Sequence, residues 1–466
     1  MKSVAIIGGG ITGLTAGFCL QRQGVPVAVY EASDRVGGAI RSIRVGGYLA
    51  EFGPNTILET SARITALVRD AGLQSRRLDP DPKASARYVV RYQRPIAMPA
   101  SPLGFFTTKL FTLGAKLAVL REPFVSARRD GGEESIAAFV RRRLNREFLD
   151  HAIDALVAGI YAGDPEKLSV QQAFPKLAAL EKEYGSLIRG QIFGASARKR
   201  RGEIAKDRAP KFSFDEGLQV LPDTLRERLG NAVRLNASVT RLTQSAEGWM
   251  VDYREHGQPR RAEHGAVVFA APTFKLAELE IVSSSPVSLA PLGEIRYPPV
   301  ASVVLGFRRE DVAHPCQGFG MLIPKVEGFK ILGTIFSSSL FSNRAPAGHL
   351  TLTSYLGGER HPELAAKSPD ELYEITCADL RVLLGVKGQP TFQHHYFWPR
   401  AIPQYNLGYG RYRALMTGIE SQTPGLFFAG HYRDGISLGD SIVSGTTIAE
   451  RVAQYVFLPA VAARRA

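Results

Sequence analysis

The sequence predicts an α/β fold built around a parallel sheet, and three segments support this. Residues 2–7 form a short apolar strand that runs into a glycine turn and then into a helical stretch over residues 14–23. A second apolar strand follows at residues 25–30, which completes a strand, helix, strand unit. Near the other end of the chain, residues 425–429 predict a strand that leads through Gly430 into a helix beginning near Asp440.

The first glycine turn has the spacing of a dinucleotide-binding loop. Gly8 permits the tight turn, Gly10 lets the backbone approach a diphosphate, and Gly13 allows the helix to pack closely on the strand. Glu31 follows Gly13 by 18 residues, at the end of the second strand. An acidic residue there accepts the ribose hydroxyls of a dinucleotide. The sequence therefore predicts dinucleotide binding at its first residues.

Composition excludes several other classes of protein. The 466 residues are too many for one compact core, and 45% hydrophobic with 22% charged residues is typical of globular domains. The three cysteines stand far apart, so the sequence predicts no disulfide framework and no metal site. The net charge of +14 suits an anionic partner. Because no nucleic-acid-binding motif accompanies that charge, we expect no nucleic acid partner.

One segment predicts contact with a membrane surface. The apolar run at the amino terminus is too short for a secretory signal, and no other apolar run is long enough to span a bilayer. Residues 104–121 instead predict a basic amphipathic helix, with an apolar stripe and with Lys109 and Lys116 on another face. We expect a cytoplasmic protein that binds peripherally to the cytoplasmic face of a membrane through this helix. The alternative is that the stripe packs on the next helix, which Ser135 is expected to cap.

The rest of the chain alternates between segments predicted to be helical, strand-rich or loop. Residues 194–210 are rich in Lys, Arg, Gly and Ala without periodicity and predict a loop between units. We expect a first part of the cofactor domain at residues 1–86, a mostly helical insertion at 87–210, a second part of the cofactor domain at 211–272, a strand-rich substrate domain at 273–400 and a last part of the cofactor domain at 401–466. Candidate strands in the later units are residues 239–242, 249–253, 267–270, 300–307, 321–323, 331–336 and 350–356.

A second glycine stretch indicates that the bound dinucleotide is FAD rather than NAD. Arg35, Gly37, Gly38 and Arg41 form an R-x-G-G-x-x-R pattern that resembles the second motif of flavoproteins with two dinucleotide-binding folds. The segment around Gly430 resembles the closing motif of the same flavoproteins. In that motif, the amino terminus of the helix faces the flavin and stabilises the anion that forms on reduction.

Longer segments make the resemblance more specific. The chain resembles the protoporphyrinogen oxidase family, FAD enzymes of tetrapyrrole synthesis, over nearly its whole length. The motifs that carry this resemblance are E-F-G-P-N-T at residues 51–56, G-I-Y-A-G-D at 159–164, S-F-D-E-G at 213–217, G-F-G-M-L-I-P at 318–324, L-G-T-I-F-S at 332–337 and I-P-Q-Y at 402–405. The implied fold is a Rossmann-like, two-dinucleotide-binding α/β fold with a mixed α+β substrate domain and a helical, membrane-facing insertion.

The resemblance implies noncovalent FAD, a set of cofactor residues and a flat apolar substrate pocket. The adenine end of FAD is expected at Val239. The implied cofactor residues are Gly8, Gly9, Gly10, Ile11, Thr12, Gly13, Glu31, Ala32, Gly38, Ala39, Arg41, Gly53, Pro54, Asn55, Thr56, Val239, Trp398, Gly430, Ile436, Ser437 and Leu438. The implied substrate residues are Arg87, which pairs with a propionate, and the pocket walls Gly159, Phe319, Leu322, Ile335 and Tyr355. Tyr355 stands where plant-like members have phenylalanine, which adds a hydroxyl.

The implied reaction converts protoporphyrinogen IX to protoporphyrin IX, with dioxygen as acceptor. The flavin N5 carries the chemistry, so no catalytic side chain is expected. One alternative is a coproporphyrinogen III oxidase, whose substrate has four propionates rather than two. Other flavin amine oxidases and desaturases share the glycine motifs, and a flavin or tetrapyrrole carrier without turnover is a further alternative. A homodimer is compatible with all of these.

Overall fold

The parallel sheet expected from the glycine turn is present, and a larger second sheet lies beside it. A computed structural model describes residues 2–128, 130–200 and 209–457. The strands are β1 Val4–Ile7, β2 Val27–Tyr30, β3 Ser42–Val45, β4 Tyr48–Glu51, β5 Ile57–Leu58, β6 Arg77–Leu78, β7 Arg87–Arg91, β8 Arg94–Ala97, β9 Lys211–Phe214, β10 Val233–Arg234, β11 Ala237–Ser245, β12 Gly248–Glu255, β13 Gln258–His264, β14 Ala266–Phe269, β15 Glu280–Val282, β16 Val300–Arg308, β17 Gly320–Leu322, β18 Ile331–Ile335, β19 His349–Gly357, β20 Phe392–Trp398 and β21 Leu426–Phe428.

Helices cover both sheets. They are α1 Ile11–Arg22, α2 Ala62–Asp70, α3 Pro102–Thr107, α4 Leu113–Arg121, α5 Ile136–Arg143, α6 Arg146–Phe148, α7 Asp154–Tyr161, α8 Val170–Ala173, α9 Pro175–Tyr184, α10 Leu187–Arg200, α11 Val220–Leu229, α12 Thr273–Leu276, α13 Ser337–Leu340, α14 Pro369–Leu384, α15 Gly410–Gln422 and α16 Leu438–Phe457. All seven candidate strands of the later units are confirmed as β11, β12, β14 and β16 to β19.

The cofactor sheet has five parallel strands in the order β10-β2-β1-β14-β21. Because all five run the same way, their carboxyl ends meet at one edge. Three widely separated parts of the chain supply these strands. The apolar side chains of β1 are buried on both faces, and α1 and α16 pack together over one of them. This arrangement places the amino termini of α1 and α16 at the edge where a dinucleotide binds.

The second sheet has seven strands in the order β20-β16-β19-β18-β17-β7-β8, and we call it the substrate sheet. Its pairs are antiparallel except β7 with β17. The rear face carries Met321, Val303 and Leu352, which pack against buried residues of α14 such as Leu380. The hairpin β7–β8 thus contributes to this sheet, although it lies in the segment expected to be mostly helical. The opposite face of this sheet, which we call the front face, contacts α7 and the cofactor domain.

The helical segment differs in detail from the sequence prediction. The expected single helix over residues 104–121 is two helices, α3 and α4, joined by a connection in which Leu110 is fully buried. Lys116 is also buried, and its ammonium donates to the carbonyls of Phe106 (2.8 Å) and Thr108 (2.7 Å). The prediction that Lys116 lies on a polar outer face is therefore wrong. A cation satisfies the last carbonyls of a helix in this way.

Two further expectations concern this region. Ser135 caps α5 as predicted, since its hydroxyl accepts from the Ala138 N–H at 3.1 Å. The loop expected over residues 194–210 is helical as far as Arg200, because α10 continues to that residue. Residues 201–208 of the expected loop lie outside the described residues. Among the described residues, no helix combines the length and apolar character needed to cross a bilayer.

Candidate functional site

The first glycine turn lies at the carboxyl edge of the parallel sheet and is held by Glu31. The Gly9 N–H donates to Glu31 Oε2 at 2.7 Å, while Glu31 Oε1 accepts from the N–H and hydroxyl of Ser33. A side chain at Gly10 would meet no protein atom within 4 Å. The turn therefore presents its backbone to open space, which fits a diphosphate at the amino terminus of α1.

The second glycine stretch packs directly against the first. The Gly37 N–H donates to the Gly9 carbonyl at 2.9 Å. The Arg35 guanidinium donates to the backbone carbonyls of Val36, Gly38 and Ile40, so it stabilises the stretch itself. The second arginine, Arg41, lies over the ring of Tyr396, 4.7 Å from its centroid. This cation–π contact joins the cofactor domain to strand β20 of the substrate sheet.

The residues expected at the adenine end of the cofactor also lie at this edge. The Ala237 N–H donates to the Glu31 carbonyl at 2.8 Å, so strand β11 begins beside Glu31. Val239 follows two residues later and is partly buried. Four further predicted cofactor residues directly follow Glu31, Gly38, Gly53 and Asn55 in the chain, namely Ala32, Ala39, Pro54 and Thr56.

Residues 53–56 form what we call the cofactor turn, and two aromatic side chains of the substrate sheet hold it in place. Trp398 Nε1 donates to the Phe52 carbonyl at 2.9 Å, just before the turn. Tyr355 Oη accepts from Asn55 Nδ2 at 2.6 Å and donates to the Gly53 carbonyl at 3.3 Å. The cofactor turn is thus fixed against the front face of the substrate sheet.

The carboxyl-terminal motif completes the edge. The Gly430 N–H donates to Ser444 Oγ (2.8 Å), and that hydroxyl donates to Asp434 Oδ2 (2.5 Å). Ser437 Oγ accepts from the Asp440 N–H at 3.1 Å, which satisfies one free donor of the first turn of α16. Ile436 and Leu438 flank Ser437. Because α16 begins at Leu438, its positive dipole end faces the same crevice as that of α1.

Thr12 joins these two helix ends. Its hydroxyl donates to the Ser441 carbonyl at 3.1 Å, across 429 residues of sequence. Ile11 and Thr12 are both buried in the first turn of α1. Backbone donors, an acidic residue for ribose and two helix amino termini therefore converge on one crevice. This arrangement fits FAD.

The predicted substrate residues share one face of the substrate sheet. The register pairs Leu322 with Gly333 and Gly333 with Tyr355, and it pairs Gly320 with both Arg87 and Ile335. Because paired residues point to the same face of a sheet, Arg87, Leu322, Ile335 and Tyr355 all lie on the front.

The other two predicted walls complete this surface. Phe319 packs in one cluster with Ile335 beside the front row. Leu322 packs over Gly159 of α7, where any side chain would overlap that leucine. The structure therefore brings the predicted pocket walls together on the front face, where Tyr355 contacts the cofactor turn.

The charges around this face are mostly paired. Arg91, two residues beyond Val89 on the same face, pairs with Glu147 at 3.3 Å. Arg360 pairs with Asp154 at 2.8 Å and also donates to the Ile323 carbonyl. Arg87 lies at the exposed end of β7. Within the described residues, no group of His, Cys, Asp and Glu side chains could hold a metal ion.

The sequence reasoning missed two titratable groups beside the cofactor site. Glu51, which directly precedes Phe52, is almost completely buried, and burial raises the pKa of its carboxyl to about 7. It accepts from Ser42 Oγ (2.6 Å) and from the Leu218 N–H (2.7 Å). Its place in the E-F-G-P-N-T motif was visible, but burial depends on the Leu218 turn from elsewhere in the chain.

The second missed group is His431, which follows Gly430. Its Nε2 lies 3.4 Å from Tyr297 Oη, and the Thr273 hydroxyl donates to that oxygen at 3.2 Å. Burial lowers the pKa of His431 to about 4, so its ring is neutral at physiological pH. Only the tertiary structure brings Thr273 and Tyr297 to this histidine.

Comparison with known proteins identifies the family to which this chain belongs. The family model for flavin containing amine oxidoreductases matches residues 11–453. Protoporphyrinogen oxidase 2 of Arabidopsis thaliana is 35% identical over 98% of this chain and 94% of its own length. Coproporphyrinogen III oxidase of Bacillus subtilis is 28% identical over 98% of this chain and 99% of its own.

Solved structures share the fold. A candidate protoporphyrinogen oxidase from Exiguobacterium sp. 255-15 has a TM-score of 0.80 and 22% identity, covering 97% of this chain and 99% of that one. A putrescine oxidase variant has a TM-score of 0.70 and 19% identity, with the same coverage. At these identities the solved structures support the architecture.

Proposed function

Because the chain belongs to the flavin containing amine oxidoreductase family and is similar over nearly its whole length to plant protoporphyrinogen oxidases, we propose that it oxidises protoporphyrinogen IX to protoporphyrin IX. It is an oxidoreductase with FAD as its cofactor. We propose noncovalent FAD and dioxygen as the electron acceptor. The product would serve tetrapyrrole synthesis.

The observation that carries the proposal is the gathering of the predicted ring-binding side chains on the front face of the substrate sheet. Leu322, Ile335 and Tyr355 offer an apolar surface to a flat macrocycle, and the cofactor turn lies against the same face. A tetrapyrrole bound there would lie next to the crevice that fits FAD.

The residues present indicate separate roles for FAD and for the protein side chains in the proposed reaction. When bound, FAD supplies the hydride acceptor at N5 for the methylene bridges of the porphyrinogen. The side chains bind and orient: the front face of the sheet excludes water from the ring, and Arg87 pairs with a propionate. The paired helix ends of α1 and α16 hold the negative charge of the cofactor. We assign no catalytic base.

Coproporphyrinogen III is the second candidate substrate, favoured by the full-length similarity to the Bacillus subtilis enzyme. Its four propionates call for more cationic contacts than two propionates do. The guanidinium groups of Arg91 and Arg360 are engaged by Glu147 and Asp154. This pairing supports the substrate with two propionates.

We also propose a peripheral membrane contact on the cytoplasmic face. The helices α3 and α4 and the turn after them expose large apolar side chains, and we call this set the apolar patch: Leu103, Phe106, Leu113, Leu117, Leu120 and Phe124. Phe124 is 83% exposed and Leu113 72%. An exposed set of this kind suits the interface of a bilayer, from which an apolar substrate enters.

The decisive experiment is an aerobic assay of the purified holoprotein with each porphyrinogen, followed by porphyrin fluorescence. We expect kcat/KM to be higher for protoporphyrinogen than for coproporphyrinogen. A higher value for coproporphyrinogen would replace the proposed substrate by the second candidate. Fluorescence no faster than spontaneous oxidation with either substrate would reject both.

A further inference from the structure

The hydroxyl of Tyr355 closes a ring of hydrogen bonds with the cofactor turn. Asn55 Nδ2 donates to Tyr355 Oη at 2.6 Å and to the Gly53 carbonyl at 3.2 Å, and Tyr355 Oη donates to that carbonyl at 3.3 Å. Tyr355 and Asn55 are 300 residues apart in sequence. Two of these three hydrogen bonds join strand β19 to the turn, and the third lies within the turn.

This ring determines which way the Asn55 amide faces. A backbone carbonyl can only accept, so the amide end beside the Gly53 oxygen must be the donor Nδ2. Asn55 Oδ1 consequently points away from the ring, and no group of the described residues donates to it. The side chain is largely buried, yet Oδ1 is not among the enclosed polar atoms that lack a partner. Asn55 Oδ1 is thus an oriented, accessible acceptor on the cofactor turn.

The phenol of Tyr355 stays protonated and can maintain both contacts. Burial raises its pKa, and the nearby Glu51 carboxylate raises it further. The hydroxyl therefore accepts from Asn55 and donates to Gly53 across the physiological pH range. The ring of the same side chain lies on the front face of the substrate sheet, in the row with Gly333 and Leu322.

We propose that Tyr355 is a positioning residue that acts through Asn55: it orients Asn55 Oδ1 to accept a hydrogen bond from an N–H or hydroxyl of bound FAD, and it ties that contact to the substrate face. The kinetic part rests on the proposed function, whereas the cofactor part does not. A phenylalanine at this position would keep the apolar wall and lose the orientation of the amide.

The test compares Tyr355→Phe with the matched control Tyr88→Phe in FAD-loaded protein. Tyr88 lies on β7 of the same sheet, and its hydroxyl donates to the Gln317 carbonyl, away from the cofactor turn. We expect Tyr355→Phe to shift the visible absorption band of the bound flavin and to raise the FAD dissociation constant by roughly two- to tenfold. With protoporphyrinogen, kcat should fall while KM changes little. Tyr88→Phe should leave all of these values unchanged.

A double variant tests whether Tyr355 acts through Asn55. If it does, adding Tyr355→Phe to Asn55→Ala should change neither the flavin spectrum nor the FAD dissociation constant beyond Asn55→Ala alone. Additive effects would overturn the proposal. So would a Tyr355→Phe protein with the wild-type spectrum and FAD affinity, whether or not its KM rises. The spectrum and FAD affinity involve no porphyrinogen, so they stay interpretable if the substrate assignment fails.

Discussion

The Leu218 N–H donates to Glu51 Oε1 at 2.7 Å, which joins two parts of the cofactor domain that stand 167 residues apart. Because this carboxyl is buried, its folded-state pKa of about 7 lies above its ordinary value of 4.5. A raised pKa means that the folded protein holds the proton more tightly than the unfolded chain. The stabilisation is complete below about pH 4.5 and is lost as pH rises through about 7.

Glu51→Gln should therefore become more stable relative to wild type as pH rises. The amide can accept from Leu218 and donate to Ser42 Oγ without carrying a buried charge. We expect the difference in free energy of unfolding between variant and wild type to grow by on the order of 2 kcal/mol between pH 5 and pH 8. Urea unfolding at several pH values measures it, and a difference independent of pH would contradict the burial argument.

Glu31→Gln should weaken FAD binding. The carboxylate accepts from the Gly9 N–H and is expected to accept from the ribose hydroxyls, and charged acceptors form the stronger hydrogen bonds. We expect the FAD dissociation constant to rise by about tenfold, measured by reconstitution of apoprotein. Glu247→Gln is the control, because that carboxylate is exposed and remote from the crevice. An unchanged FAD affinity in Glu31→Gln would remove Glu31 from the site.

Arg87→Ala should raise KM for the porphyrinogen and leave FAD content unchanged. A charge-assisted contact to a propionate contributes roughly 1.5 to 3 kcal/mol, so KM should rise by about tenfold or more. Steady-state kinetics with flavin content determined in parallel would check this. A loss of FAD instead would place Arg87 near the cofactor, and unaltered kinetics would exclude it from substrate binding.

Acid precipitation should release yellow FAD into the supernatant. Cys19 lies on α1, whereas Cys316 and Cys377 pack behind the substrate sheet, so none of the three thiols faces the cofactor turn. We expect the released flavin to be FAD when separated by chromatography. Colour retained in the pellet would show a covalent link, and FMN in the supernatant would contradict the dinucleotide assignment.

Replacing Leu113, Leu117 and Phe124 by serine should abolish flotation with anionic liposomes while FAD remains bound. These side chains belong to the exposed apolar patch, and their burial among acyl chains drives interfacial binding. Under the alternative the stripe would pack against Ile136, Phe139 and Leu144. Only the buried part of the segment does so, because Leu110 and Ala115 share one cluster with these residues. The side chains of the apolar patch remain exposed. Liposome flotation at low salt is the measurement. Wild-type protein that stays at the bottom would exclude the membrane contact.

Local sequence patterns were sufficient to predict much of the secondary structure of this protein. The glycine spacing predicted the turn, the helix α1 and the strand ending at Glu31, because close backbone approach restricts those positions to glycine. Apolar runs also predicted four of the seven strands of the substrate sheet, β16 to β19, but not β7, β8 or β20. The apolar periodicity over residues 104–121 misled, because it continues through Leu110, where the chain leaves one helix before entering the next.

Sequence alone determined the cofactor class and the family, since both depend on short motifs whose geometry is local. The tertiary structure decided what the hydroxyl of Tyr355 contacts, why Glu51 is buried and where Lys116 points. Each of these depends on partners far away in the chain, Asn55 for Tyr355 and Leu218 for Glu51, or on a break between two helices for Lys116. The hydrogen-bond partners and the burial of a side chain depend on tertiary contacts, which a local sequence pattern does not specify.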